Sequence, residues 1–223
     1  MQLKKTFQKL KLKRFIKEKG FWYIDIPRTS SSSTRLSLKK MFGKYYGKSN
    51  IFEKELSQES FYKGHLTNSE CLLFFGEKLW KNINKFTIVR NSWSRFYSIY
   101  GYLQKAKVIE EDLKFPKFIE QAYETFSNKK SKLKLWPKII YPAVSFLKRP
   151  DGSIDDSIKI INFENREKEL KEYFGEFNIE FKSDKKIMSS DLKKNYREAY
   201  DNLSKDLVSK MFSEDIARFD HEF

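Results

Sequence analysis

The sequence predicts an α/β fold in which a mostly parallel sheet carries helices on both faces. Short apolar runs typical of buried strands lie at residues 21–26, 86–89 and 158–163. Each run is followed by a loop and then by apolar residues at helical spacing. Strands that alternate with helices in this way usually pair in parallel, because each helix returns the chain to the same edge of the sheet.

The helices are predicted from apolar spacing and from capping residues. Leu3, Phe7 and Leu10 recur at helical spacing among many lysines, which predicts a basic amphipathic helix over residues 3–16. Thr67 and Glu70 have the spacing of a capping box, so a helix should begin near Asn68. Two further helices are predicted over 36–42 and, after a turn at Arg90–Ser94, through Ser98 towards Gln104. Another begins at Pro116 and carries Ile119, Ala122, Tyr123 and Phe126 on one face, and the next ends at Phe174 with Gly175 as its C-terminal cap. The last is predicted over 204–219, with Leu207, Val208, Met211, Phe212 and Ile216 buried.

Composition favours a packed protein. Hydrophobic residues make up 39% of the 223 residues and aromatic residues 17%, which is too many for a disordered chain. We expect a basic, helical segment over residues 1–20 and a single domain over 21–223. Cys71 is the one cysteine, so an internal disulfide and a multi-cysteine metal site are excluded. The sequence shows neither a secretory signal nor an apolar run that would span a bilayer, and a cytoplasmic protein is expected.

The positive charge is concentrated in two patches. The net charge is +15, and residues 1–20 hold eight Lys or Arg with one acid while residues 129–149 hold seven with none. Each patch would attract a polyanion such as a nucleic acid, an anionic membrane or an acidic glycan, or would simply be solvated. No nucleic-acid-binding signature is visible, so nucleic acid is the least favoured partner. Residues 1–20 suit peripheral contact with a membrane, and the sequence assigns no oligomeric state.

A hydroxyl-rich segment joins the first predicted strand to the next helix. Residues 24–35 read Ile-Asp-Ile-Pro-Arg-Thr-Ser-Ser-Ser-Ser-Thr-Arg. A helix N-terminus offers N–H groups and a partial positive charge to phosphate or sulfate, and Arg28 adds a forked cation. The segment has no glycine and no lysine, so it lacks the G-x-x-x-x-G-K-[S/T] pattern of kinases and GTPases. An ordinary helix capped by serine is the alternative interpretation.

Two segments together resemble the sulfotransferases that use PAPS, 3′-phosphoadenosine-5′-phosphosulfate. Residues 26–33 resemble their 5′-phosphosulfate loop, I-P-K-T-x-G-T-S, and residues 88–100 resemble their 3′-phosphate motif, R-[D/N]-P-x-x-R-x-x-S-x-Y. Further similarity, to membrane-type carbohydrate sulfotransferases such as the heparan 2-O and chondroitin enzymes and their bacterial relatives, extends the resemblance over about residues 21–220. This further similarity is carried by three segments of the chain, Gly64-His65-Leu66-Thr67, Phe163-Glu164-Asn165 and Val208 to Phe219.

This resemblance implies a fold, a reaction and a set of site residues. The fold would be a three-layer α/β arrangement with a P-loop-like core. The reaction would move the sulfuryl group of PAPS to a hydroxyl of an acceptor, expected to be a saccharide or an acidic glycan, leave PAP as product and need no metal. His65 would be the general base, and Arg28 would contact the bridging oxygen of the donor. Donor binding is assigned to Arg28, Thr29, Ser30, Ser31, Ser32, Ser33, Arg90 and Ser98.

The chain also departs from the family pattern. Arg28 replaces a lysine and Ser31 replaces a glycine, and these changes bear on catalytic rate more than on donor binding. The alternative function is therefore a catalytically weak protein of this fold that binds PAP, PAPS or a polyanion. Simpler interpretations also stay open for single residues: a surface ion pair for Arg90, a helix-surface hydroxyl for Ser98, a structural role for His65 and a solvated tail for His221.

Overall fold

A computed structural model describes residues 2–43, 46, 65–127, 138–183 and 195–223, with side chains from residue 10 onwards. Contacts divide the chain into two compact units, Met1–Val89 with Ser145–Ile187, and Arg90–Val144 with Met188–Phe223. The elements, in chain order, are α1 (Gln2–Lys19), β1 (Phe21–Ile24), α2 (Ser31–Phe42), α3 (Asn68–Phe75), α4 (Glu77–Lys81), β2 (Asn84–Val89), α5 (Ser92–Lys105), α6 (Phe115–Ser127), a 3-10 turn (Ala143–Phe146), β3 (Ile158–Asn162), a 3-10 turn (Phe163–Asn165), α7 (Arg166–Gly175), a 3-10 turn (Tyr196–Ala199), α8 (Asn202–Met211) and α9 (Ser213–Phe219).

The three strands of the first unit form a parallel sheet in the order β1-β2-β3. The β1–β2 register runs from Phe21 opposite Asn84 to Ile24 opposite Thr87, and that of β2–β3 ends with Val89 opposite Asn162. Successive side chains of a strand point to opposite faces. Every residue of β2 after Asn84 is buried, so both faces of the central strand are covered.

Aromatic side chains fill the core of the first unit. Phe21 of β1 and Phe86 of β2 both contact Phe174 of α7, with ring centroids 5.3 and 5.5 Å apart. Phe86 and Phe174 are fully buried. Burial of one such side chain contributes about 1.5–3 kcal/mol, so this cluster explains how four- to six-residue strands hold together.

The basic N-terminal segment is helical, as predicted, but its buried side differs from the predicted one. Leu12 and Ile16 are each only 1% exposed, whereas Leu10 is 61% exposed. The side chains of Leu3 and Phe7 lie outside the described residues. The helix is therefore fixed to the first unit by the face that carries Leu12 and Ile16, because these are the buried apolar side chains among its described residues.

Helices of the second unit differ from the prediction in two places. The helix predicted over 204–219 is broken at Phe212 into α8 and α9, and Ile216 is only half-buried while Asp215 is buried. In α6 the buried stripe consists of Phe115, Phe118, Ile119 and Ala122, whereas Tyr123 is half-buried and Phe126 is 42% exposed. The i, i+3, i+4, i+7 spacing of that stripe places Tyr123 at its edge, whereas Phe126 continues the stripe but lies in the last turn of the helix, beyond its buried part.

The α/β class with a parallel sheet is thus confirmed. The capping box is also confirmed: Thr67 Oγ1 accepts from the Glu70 N–H at 3.2 Å, and the Glu70 carboxylate accepts from the Thr67 N–H at 2.8 Å. Gly175 is not the cap of α7, because the helix includes it and Glu176 follows in right-handed conformation. The three-layer arrangement, the sulfotransferase fold and the single domain over 21–223 stay predictions.

Candidate functional site

The segment between β1 and α2 has an unusual backbone. Arg28 and Ser30 have φ angles of 65° and 75°, in the left-handed region that residues other than glycine rarely adopt. Each such residue costs on the order of 1–3 kcal/mol and persists only where its surroundings hold it. Strain of this kind is concentrated at binding and catalytic sites, so the conformation of the loop supports a functional role.

Hydroxyl groups within the loop hold this backbone in place. Thr29 Oγ1 and Ser31 Oγ both donate to the Ile26 carbonyl, at 2.9 and 3.0 Å. The hydroxyls of Ser30 and Ser33 are 2.5 Å apart. Thr29 is fully buried, so this residue supports the loop and offers no exposed group to a ligand in this structure. The serine run predicted to bind an anion therefore also builds the loop.

Helix α2 begins within the serine run, five residues earlier than predicted. Ser30 is the N-cap residue, but its side chain makes no capping hydrogen bond. The first turn of a helix carries N–H groups without partners in the helix, together with a partial positive charge. Ser32 is exposed at this end, and Ser31 and Ser33 are half-buried. The N-terminus of α2 thus has the chemistry of an anion-binding site.

Ser31, which stands where the resembling family has glycine, does not need glycine's backbone freedom. It is the first residue of α2 and is not among the residues with positive φ. The two strained positions are Arg28 and Ser30 instead. The replacement therefore adds a side chain at this point without adding backbone strain.

His65 is held against the end of β1. Its Nδ1 lies 2.8 Å from the carbonyl oxygen of Asp25, the residue directly after the strand. This contact makes Nδ1 the donor, so the lone pair of the neutral ring is on Nε2. The side chain is 16% exposed. His65 also precedes α3, whose capping box fixes the chain two residues later. The structure thus brings the predicted base to the strand that opens the anion-binding loop.

Asp25 is a site residue that the sequence interpretation missed. Its carboxylate forms an ion pair with Arg35 of α2 and lies 3.5 Å from His65 Nδ1. Burial alone would raise the pKa of this carboxyl, but the positive charge of Arg35, followed by the nearby His65, holds the pKa below its ordinary value. Asp25 is therefore ionised at neutral pH. An acid between two isoleucines at the end of a buried strand was the available signal.

The second predicted motif lies in the other unit, where Arg90 directly follows β2. Arg90 Nε donates to Ser94 Oγ at 2.9 Å. Asn91 caps α5 by accepting from the Ser94 N–H at 3.2 Å. Ser98 is 4% exposed, so it is not the helix-surface hydroxyl of the simpler interpretation. Arg90 thus donates to Ser94, and a shared contact of Arg90 and Ser98 with a phosphate stays a prediction.

His221 is not a solvated tail residue as expected. Its Nδ1 is 3.0 Å from Ser92 Oγ at the start of α5, and Glu222 accepts a hydrogen bond from Asn91 Nδ2 at 2.7 Å. Burial, followed by the positive charge of Arg95, lowers the pKa of His221 to about 4. The last residue, Phe223, packs edge-on against Trp93 with centroids 5.6 Å apart. The C-terminal residues therefore cover the start of α5.

Arg95, the second arginine of this motif, has a structural role in the unit. It is 1% exposed and donates to the carbonyls of Tyr141 and Ile139, at 2.9 and 3.2 Å. Burial lowers its pKa to about 10, so it keeps its charge. Asp215 accepts from the N–H groups of Ala143 and Val144, at 2.6 and 2.8 Å. Both buried charges are thus used to fix residues 139–144.

The two basic patches are described to different extents. Residues 129–137, which hold four of the seven cations of the second patch, lie outside the described residues. In the first unit a groove of about 690 Å³ separates α1 from α4. Cations and apolar side chains share its wall, and they include Lys13, Arg14, Lys17, Lys78, Leu10 and Leu79.

Comparisons with known proteins add no relative. No family model, curated protein or solved structure matches the chain. Among the described residues, no helix combines the length and apolar character needed to cross a membrane. Over the same residues, no three His, Cys, Asp or Glu side chains gather as a metal site requires. The absence of a metal in the reaction stays a prediction.

Proposed function

We propose that this protein is a sulfotransferase that moves the sulfuryl group of PAPS to a hydroxyl of an acceptor, on a three-layer, P-loop-like fold. The observation that carries the proposal is the strained, serine-rich loop between β1 and α2, with His65 held at the same strand end. A loop of this kind serves anion binding, and a histidine beside it supplies the proton acceptor that sulfuryl transfer needs.

The loop would bind the 5′-phosphosulfate of the donor. The N–H groups at the start of α2 would face its oxygens, and Ser32 and Ser33 would add hydroxyl donors. Arg28, which is half-buried, would contact the oxygen that bridges phosphorus and sulfur. Negative charge grows on that oxygen as the sulfur leaves, so a cation there stabilises the transition state more than the bound donor.

His65 would accept the proton of the acceptor hydroxyl. The acceptor O–H bond breaks and an N–H bond forms at Nε2, while the acceptor oxygen bonds to sulfur. The bond between sulfur and the bridging oxygen breaks, and its electron pair stays on PAP. The proton then leaves the imidazolium to solvent. A positioned imidazole typically contributes about 10²–10⁴-fold to such a step.

The resemblance assigns the 3′-phosphate to Arg90 and Ser98. A buried hydroxyl and a cation at the start of a helix suit a dianionic phosphate, and a hydrogen bond to a charged group contributes about 1.5–3 kcal/mol. This phosphate distinguishes PAP from AMP. The assignment therefore predicts that the protein prefers the nucleotide with a 3′-phosphate.

The acceptor is proposed to be a saccharide, and the charge pattern favours an acidic one. Residues 129–149 hold seven cations and no acid, and a polyanionic chain would be attracted to such a segment. The exposed cations of α1 would give the same protein a peripheral contact with an anionic membrane from the cytoplasmic side. The assignment of both partners, the acidic saccharide and the anionic membrane, is based on the charge pattern alone.

A catalytically weak protein that only binds PAP, PAPS or a polyanion is the second candidate. Two observations favour it: Arg28 carries its charge on a strained residue where the family has lysine, and Thr29 buries its hydroxyl within the loop. A guanidinium does not give up a proton, and its charge is more delocalised than that of an ammonium. The two candidates differ in turnover and not in donor binding.

The experiment that separates them is a transfer assay with isotopically labelled PAPS and a panel of neutral and acidic saccharides, read by mass spectrometry. We expect a sulfated product with wild type and a turnover roughly 100-fold lower with His65→Ala. The affinity for PAP should stay nearly unchanged in that variant, which controls for folding. If PAP binds but no acceptor is sulfated, the second candidate function, binding without catalysis, is the correct one. If turnover survives the substitution, His65 is not the base.

A further inference from the structure

The proposed base, His65, meets two charged side chains that come from separate segments of the first unit. Asp25 comes from the end of β1, Arg35 from the second turn of α2, and His65 from the residues before α3. Asp25 forms an ion pair with Arg35, and its carboxylate is 3.5 Å from His65 Nδ1. Their side chains are 5%, 25% and 16% exposed, respectively. The three groups are therefore largely shielded from solvent.

The contacts on the imidazole determine its orientation. His65 Nδ1 donates to the Asp25 carbonyl at 2.8 Å, and the carboxylate of the same residue lies slightly further away. One residue thus fixes the tautomer through its backbone and places a negative charge beside the ring. That charge would stabilise the imidazolium that forms when Nε2 takes a proton, as an orienting carboxylate does for histidine bases generally.

Arg35 controls how strongly the carboxylate acts on the ring. Its guanidinium keeps Asp25 ionised, since burial would otherwise favour the neutral acid. The same guanidinium offsets part of the negative charge felt by His65. Arg35 also lies on the helix whose N-terminus forms the anion-binding loop. The ion pair therefore connects the loop and the base through a single side chain.

The titratable groups that interact with this carboxylate include Arg35, His65 and Tyr23 of β1. Burial, followed by the charge of Asp25, raises the pKa of Tyr23 far above its ordinary value. The phenol is therefore neutral over the pH range of interest. In that pH range, Arg35 and His65 are the groups whose charge affects the ionisation of Asp25.

We infer that Asp25 is a positioning residue that orients His65 for proton transfer and stabilises its charged form, and that Arg35 tunes this effect. The inference rests on the proposed function for its role in turnover, but not for its effect on the ring. A purely structural Asp25–Arg35 pair would also stabilise the fold. It would not move the titration of His65 in opposite directions when one or the other partner is removed.

The test is an NMR titration of His65 in the full chain, with wild type, Asp25→Asn and Arg35→Gln. The chain has two histidines, so His221→Gln assigns the signals. Removal of the carboxylate that Arg35 and His65 share leaves the Arg35 charge without its partner, and the midpoint of the His65 titration should move to lower pH by about one unit. Removal of the guanidinium leaves the carboxylate alone, and the midpoint should move to higher pH by a similar amount.

Arg166→Gln is the matched control, because it removes an arginine from α7 in the same unit, and it should leave the His65 midpoint in place. Arg35 is the more exposed partner, so Arg35→Gln decides the question if Asp25→Asn fails to fold. The inference is overturned if neither variant moves the midpoint, or if both move it in the same direction. Absence of transfer activity in the wild-type protein would instead refute the proposed function. The two failures are distinguishable, because the titration of His65 needs no substrate.

Discussion

Two junctions between a strand and a helix carry the residues proposed to bind the donor, and they are built differently. In the first unit, the chain passes from β1 to α2 through two strained residues, and the N-cap side chain of α2 makes no capping bond. At the start of the second unit, Arg90 and Asn91 lead into α5, Asn91 caps it, and the C-terminal residues cover its first turn.

The difference shows where binding energy is available. A helix start without a side-chain cap offers its N–H groups to a ligand. A helix start that already has a side-chain cap leaves fewer N–H groups for a ligand. Specificity at the second junction would therefore depend on the side chains of Arg90 and Ser98. We therefore expect the first junction to supply catalysis and general anion binding. The second junction would supply recognition of the 3′-phosphate.

Removal of a cation from each junction tests this division and should give the largest effects. Arg90→Ala should weaken PAP binding by at least about tenfold, because a lost charged hydrogen bond costs about 1.5–3 kcal/mol. AMP binding should hardly change in that variant, since AMP lacks the 3′-phosphate. Calorimetric titration of PAP and AMP measures both affinities.

Arg28→Ala is the matched control for that measurement. It should reduce sulfuryl transfer more than PAP affinity, because its target oxygen gains charge only as sulfur leaves. Equal weakening of PAP and AMP in Arg90→Ala would show that Arg90 does not recognise the 3′-phosphate. The division of roles between the two junctions would then be wrong.

A smaller effect is expected at the covered start of α5, through His221. Its folded-state pKa of about 4 lies below the ordinary value of 6.5. The unfolded chain therefore binds more protons over this range, and stability should fall as the pH is lowered from 6.5 to 4. His221→Gln removes the titrating group, so its melting temperature should depend less on pH over that window than that of wild type. Partial exposure of the ring reduces the size of the effect.

Thermal unfolding by circular dichroism at several pH values between 4 and 7.5 measures this difference. Identical pH profiles for the two proteins would mean that His221 does not titrate differently in the folded and unfolded chain. The tail would then not shield the start of α5 as its contacts indicate.

Local patterns predicted much of the fold. The capping box at Thr67 and the alternation of strands and helices are properties of a few neighbouring residues, and both are found in the structure. The start of α2 was placed too late because a serine run is typical of a loop as well as of a helix N-terminus. The break at Phe212 depends on packing and leaves no local signal.

Features of the site that depend on distant pairing could not be predicted. Asp25 and Arg35 are ten residues apart, but His65 meets them only after the chain has folded back to β1. The burial of His221 depends on Ser92, 129 residues earlier in the chain. The motifs gave the identity of the proposed base, while the groups that control its charge appeared only in three dimensions.

Stabilisation by PAP is the most direct test of the central claim, that the protein binds the sulfuryl donor. A ligand at 100 times its dissociation constant adds about 2.7 kcal/mol to the free energy of unfolding. The melting temperature of wild type should therefore rise clearly with PAP and much less with AMP or ATP at the same concentration. No shift with millimolar PAP would contradict the account, and equal shifts with all three would indicate a general nucleotide site.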